Sequence, residues 1–119
     1  MNIFITGISG FIGNKLSQYF IEKGHNVIGS SSSRQTEITK NNIISLPLGV
    51  KPEFGLFKNT DLVIHCAYDQ NTQNKSNNFI GTELIYRAAK EDGVRLQIYI
   101  SSISATNYNK SEYGDIKIK

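Results

Sequence analysis

The stretch Met1-Asn2-Ile3-Phe4-Ile5-Thr6-Gly7-Ile8-Ser9-Gly10-Phe11-Ile12-Gly13 decides the fold. Its apolar run, Ile3-Phe4-Ile5, stops at Thr6, and glycines follow at Gly7, Gly10 and Gly13. The pattern predicts a strand, a tight glycine turn and the start of a helix. Gly7 would make the turn, Gly10 would admit a close approach, and Gly13 would let the helix pack on the strand. The amides of Phe11 and Ile12, at the helix N-terminus, would then point at an anion. A nucleotide pyrophosphate fits such a cradle. The alternative is a strand-to-helix turn that serves packing alone.

Working outward, Ile12, Leu16, Tyr19 and Phe20 repeat at helical spacing, and Gly24 stands where a C-terminal cap glycine belongs. Asn26-Val27-Ile28-Gly29 reads as a second strand, and the polar run from Ser30 to Lys40 as a loop. Ile43 to Leu46 is a third strand ended by Pro47, and Gly49, Pro52 and Gly55 argue against a long helix after it. Leu62-Val63-Ile64-His65-Cys66 is a mostly apolar run, the mark of a strand buried on both faces. After the polar loop Asp69 to Asn77, a helix is expected from about Asn78 to Asp92. Ile80, Leu84, Ile85 and Ala88 would face inward, and Gly93 would stop it. Leu96 to Ile100 is a further strand, closed by Ser101-Ser102. Strands alternating with crossovers imply an α/β fold, with a parallel sheet of about five strands and flanking helices. Ligands bind beyond the carboxyl ends of such strands. That rule gathers the glycine turn, Ser30 to Arg34, Cys66 to Tyr68 and Ser101-Ser102 along one edge.

A chain of 119 residues is one domain and can bury a core without staples. The net charge of +3 is mild and the lysines are scattered, so no nucleic-acid partner is expected. Cys66 is the one cysteine, which excludes an internal disulfide framework and fits a reducing, cytoplasmic setting. No segment approaches the ~20 apolar residues of a membrane span. The N-terminus lacks the basic region of a signal peptide.

The end of the second strand carries Gly29-Ser30-Ser31-Ser32-Ser33-Arg34 and no acid. A ribose with a free 2′-hydroxyl is usually held there by Asp or Glu. Hydroxyls with a guanidinium suit a 2′-phosphate instead, so Ser30, Ser31 and Arg34 favour NADP(H) over NAD(H). A solvated serine loop is the alternative. His65 has no second ligand in sequence, so no metal site is expected, and Cys66 reads as a small buried hydrophobe. Ser102 with Tyr113-Gly114-Asp115-Ile116-Lys117 is the remaining constellation. A tyrosine can move a proton if its pKa of about 10 is lowered, and a lysine one helical turn away supplies part of that. The spacing recurs at Tyr19/Lys23, Tyr86/Lys90 and Tyr113/Lys117, and only the last follows the fifth strand and its serines.

Taken in order, Thr6–Gly13 (TGISGFIG), Asp61–Ala67 (DLVIHCA), Asn78–Ala89 (NFIGTELIYRAA) and Tyr99–Ala105 (YISSISA), with Tyr113–Lys117 (YGDIK) after it, resemble one family. It is the extended short-chain dehydrogenase/reductases, the NAD(P)-dependent epimerase/dehydratase group. The resemblance implies a Rossmann-type sheet, a bound nicotinamide dinucleotide contacted also at Cys66 and Ala67, and hydride transfer on a sugar or nucleotide-sugar substrate. It gives Ser102 the substrate-orienting role, Tyr113 the acid/base role, Lys117 the ribose-binding and tuning role, and Asn78 a structural one. Three departures stand out. The Asp that the resemblance implies after the third strand, near the adenine, has no counterpart around Leu48-Gly49-Val50, the span from Ser102 to Tyr113 is short, and the chain ends at Lys119 before a substrate region. The expectation is therefore an incomplete dinucleotide-binding Rossmann domain over residues 1–119, truncated after the fifth strand and not catalytic alone. A nucleotide-binding sensor or partner module, or a gene remnant, is the alternative. An exposed sheet edge would favour a homo-oligomer.

Overall fold

The first apolar run forms strand β1 (Asn2–Thr6), buried from Ile3 to Thr6. The computed structural model describes residues 1–31, 42–68 and 75–100. Helix α1 (Phe11–Glu22) follows, then strands β2 (Asn26–Ser31), β3 (Ile43–Ser45) and β4 (Leu62–His65), helix α2 (Lys75–Glu91) and strand β5 (Leu96–Tyr99). The strands form one sheet in the order β3-β2-β1-β4-β5. Every pairing is parallel, with Ile5 between Gly29 and Ile64 at the centre. This is the expected Rossmann-type arrangement.

Alternation along the strands builds two cores. Ile3, Ile5, Val27, Leu62 and Ile64 form one, joined by Ile8 and by Leu16 and Phe20 of α1. Phe4, Val63 and Phe57 form the other, closed by Ile85 and Ala89 of α2. Successive strand residues point to opposite faces, so the two helices cover opposite sides of the sheet. Phe57, from the turns after β3, packs edge-on against Phe4 with ring centroids 4.9 Å apart.

Several expectations need correction. The inward face of α1 is Gly13, Leu16, Ser17 and Phe20, while Ile12 and Tyr19 are exposed. Small residues at Gly13 and Ser17 bring the helix axis close to the sheet, which turns the larger neighbours outward. In α2 the inward line runs through Asn78, Gly81, Ile85 and Ala89, and Ile80 is exposed. Leu84 and Ala88 lie at its margins, half-buried. Strand β2 continues past Gly29 through Ser30 and Ser31, both buried. The β3 ladder captures them, with Ser30 opposite Ile44 and Ser31 opposite Ser45. Cys66 is half-buried rather than buried.

Candidate functional site

The strand order reverses between β1 and β4: β1 leads outward to β2 and β3 on one side, and β4 to β5 on the other. Crossovers leaving in opposite directions open a crevice at the carboxyl ends of the strands. A crevice of about 480 Å³ lies there, within the usual range for small-molecule sites. Its floor is the glycine turn and the exit of β4, at Cys66, Ala67 and Tyr68. Ser30 and Ser31 form one wall, and Leu46, Pro47 and Leu48 another.

The glycine turn has two distinct requirements. Gly7 has φ 66°, and a Cβ there would stand 2.8 Å from the Ala67 backbone. At Gly13 a Cβ would overlap the Gly7 carbonyl and come within 2.9 Å of the Ile8 Cα. Both glycines thus let backbone meet backbone. At Gly10 the nearest protein atom to a Cβ is the Gly7 carbonyl oxygen at 3.3 Å, so the turn itself barely demands glycine there. Gly10 instead borders the crevice. The Gly10 amide donates to the Gly7 carbonyl at 3.0 Å, and the Ile8 amide donates to the Ser30 carbonyl at 3.1 Å. The first closes the turn on itself and the second ties it to β2.

Helix α1 begins at Phe11 with no side-chain cap and no acid in its first turn. The first amides of a helix have no partner inside it, and they carry the positive end of its dipole. The amides of Phe11, Ile12 and Gly13 are therefore free of a side-chain cap at the mouth of the crevice. None of the described crevice-lining residues is acidic. Across it, the Ser9 and Ser31 hydroxyls meet at 2.8 Å. An uncapped helix start beside a lining without acids is an environment that favours an anion.

Below the floor, His65 is fully buried. Its Nδ1 lies 2.7 Å from the Thr6 hydroxyl and its Nε2 3.2 Å from the Thr82 hydroxyl. Among the described residues no group of three His, Cys, Asp or Glu could hold a metal. Tyr19/Lys23 and Tyr86/Lys90 sit on exposed helix faces, each lysine resting over its tyrosine ring, and neither pair lines the crevice. The structure brings together Gly7, Gly10, Ser30, Ser31, Cys66 and Ala67, with Phe11, Ile12 and Gly13 opening α1 beside them. Arg34, Ser102, Tyr113 and Lys117 lie outside the described residues. Ser9, Leu46 and Pro47 were not legible as site residues. The one signal for them was Pro47, which ends β3 at the same edge.

A family model described as the NAD dependent epimerase/dehydratase family matches residues 3–117. Among curated proteins, the sterol-4-alpha-carboxylate 3-dehydrogenase, decarboxylating, of Dictyostelium discoideum is 31% identical over 93% of this chain. The match covers 35% of that protein. Among solved structures, MoeE5 in complex with UDP-glucose and NAD has a TM-score of 0.81 and 22% identity, covering 99% of this chain and 46% of that one. UDP-glucose-4-epimerase from Stenotrophomonas maltophila, with bound NAD and formylated UDP-arabinopyranose, has a TM-score of 0.78 and 19% identity over 99% of this chain and 46% of that one. The chain thus spans about a third of the curated relative and about half of these solved structures. No helix among the described residues is long and apolar enough to cross a membrane.

Proposed function

This chain belongs to the NAD dependent epimerase/dehydratase family, and from that premise we propose that its crevice binds a nicotinamide dinucleotide for an oxidoreductase or epimerase. The observation that carries the reading is the uncapped, acid-free start of α1 directly after the glycine turn, at the point where the strand order reverses. The residues fit the group. Gly7 and Gly13 hold the turn against Ala67 and Ile8, and Gly10 leaves room for a pyrophosphate. The amides of Phe11 and Ile12 would hold it, and the exit of β4 at Cys66 and Ala67 would line the rest of the site. Ser30, Ser31 and Arg34 select NADP(H) by contacting a 2′-phosphate.

When bound, the nicotinamide ring supplies acceptance and return of a hydride. The chain's own residues handle orientation and the proton. Ser102 orients the substrate oxygen, Tyr113 takes or returns its proton, and Lys117 keeps the tyrosine acidic enough to do so while binding ribose. The substrate class is a sugar or nucleotide sugar with a hydroxyl or carbonyl at the reacting carbon. The UDP-sugars bound in the solved relatives support that class.

Binding can be read from the fluorescence of the reduced nicotinamide, which is excited at wavelengths where protein side chains do not absorb. Titration should give saturable binding, tighter for NADPH than for NADH. Absence of binding by either would contradict the reading. Tighter binding of NADH would remove the 2′-phosphate role of Arg34.

A further inference from the structure

We infer that His65 is a positioning residue, held neutral and protonated on Nε2, that ties the crevice floor to helix α2 through the chain Thr6–His65–Thr82. The inference rests on the dinucleotide reading only for its consequence on binding. The tautomer follows from hydrogen-bond accounting at both ends. Thr82 Oγ1 donates to the Asn78 carbonyl at 3.0 Å. Its one proton is thereby used, so at its contact with His65 it accepts, and Nε2 carries the hydrogen. At the other end, Thr6 Oγ1 accepts from the Ala67 amide at 3.2 Å and shares the Cys66 amide, at 3.0 Å, with the Thr6 carbonyl, at 3.1 Å. With amide hydrogens facing its lone pairs, its own proton is directed to His65 Nδ1, 2.7 Å away, which is then bare. Both ends favour the same tautomer.

The chain has a functional direction. Cys66 and Ala67 border the crevice, and Ala67 is also the backbone against which Gly7 is pressed. Thr6 is the last residue of β1, immediately before that turn. The placement of α2, transmitted through Thr82 and His65, therefore fixes the two amides on which the crevice floor is hung. His65 is not among the residues lining the crevice; it acts through Thr6. Gly81, next to Thr82, lets α2 approach the Leu48 wall, since a Cβ there would overlap the Leu48 side chain. One helix face thus positions both the floor and a wall.

The test uses nitrogen-15 NMR of the whole chain with Thr82→Val and Thr82→Ser. In the wild type, His65 should show the pattern of a neutral ring protonated on Nε2. A ring protonated on Nδ1, or on both nitrogens at neutral pH, would overturn the inference. Thr82→Val should shift the Cys66 and Ala67 amide resonances and weaken NADPH binding roughly three- to tenfold, the scale of one buried hydrogen bond. Thr82→Ser should restore both. A folded Thr82→Val variant with unchanged Cys66 and Ala67 resonances would overturn the coupling. If Thr82→Val does not fold, the wild-type ring pattern still decides the tautomer, and Thr82→Ala takes its place in the comparison of the Cys66 and Ala67 resonances. If the wild type binds no dinucleotide, the crevice reading fails, while the ring pattern and amide shifts judge the positioning role separately.

Discussion

At the scale of single residues, the three glycines of the turn do different work, and substitution should separate them. Gly13→Ala forces a methyl into the Gly7 carbonyl and the Ile8 backbone. Overpacking of this kind costs about 1–3 kcal/mol, so its urea midpoint should fall clearly below that of the wild type. Gly10→Ala meets one backbone oxygen at 3.3 Å and should unfold close to the wild-type midpoint. A bulky Gly10→Leu should likewise fold but lose dinucleotide binding, because Gly10 borders the crevice. Equal stability of Gly10→Ala and Gly13→Ala would contradict this division. The spacing of the glycines made the turn legible in sequence. Which glycine serves the fold and which serves the ligand was not, because that depends on what stands opposite each one, and Ala67 lies far along the chain from Gly7.

At the scale of elements, the centre of the sheet was readable and its margins were not. β1 and β4 announce themselves as continuous apolar runs because both of their faces are covered. The extension of β2 over Ser30 and Ser31 is decided by β3 beside it, and serine has no intrinsic pull toward strand. The helix faces drifted for a related reason. The inward line of α1 runs through Gly13 and Ser17, which carry no hydrophobic signal, whereas the apolar repeat includes the exposed Ile12 and Tyr19. In α2, Ile85 is buried against Phe4, Phe57 and Val63. Ile85→Ala should cost about 2–5 kcal/mol in chemical denaturation, whereas truncating the exposed Ile80 should cost far less. At the end of β5, burial holds the Tyr99 hydroxyl above the ordinary tyrosine value of 10.0, with Tyr86 and Glu83 adding to it. The native state keeps that proton more tightly than the unfolded chain does. Its contribution is intact below the unfolded value and lost as the pH rises above it. Urea midpoints compared at about pH 9 and about pH 11 should fall with pH, and fall less in Tyr99→Phe.

At the scale of the whole molecule, the parallel sheet, the helices on opposite faces and the reversal between β1 and β4 bring distant pieces of sequence to one edge. The glycine turn, the serines ending β2 and the exit of β4 meet there without a charged residue among the described lining. The proposed preference for NADP(H) is tested by Arg34→Ala, which should weaken NADPH binding by about tenfold or more, the scale of a charge-assisted phosphate contact, and leave NADH binding nearly unchanged. Equal losses for the two cofactors would point to a general effect on the crevice instead. The most direct measurement is a map of backbone amide shifts during titration of the nitrogen-15-labelled chain with NADPH. The expected result is saturable movement centred on the amides of Gly10, Phe11, Ile12 and Ala67, absent in Gly10→Leu. Shifts confined to another surface, or none at saturating cofactor, would contradict the assignment of this edge as a dinucleotide site.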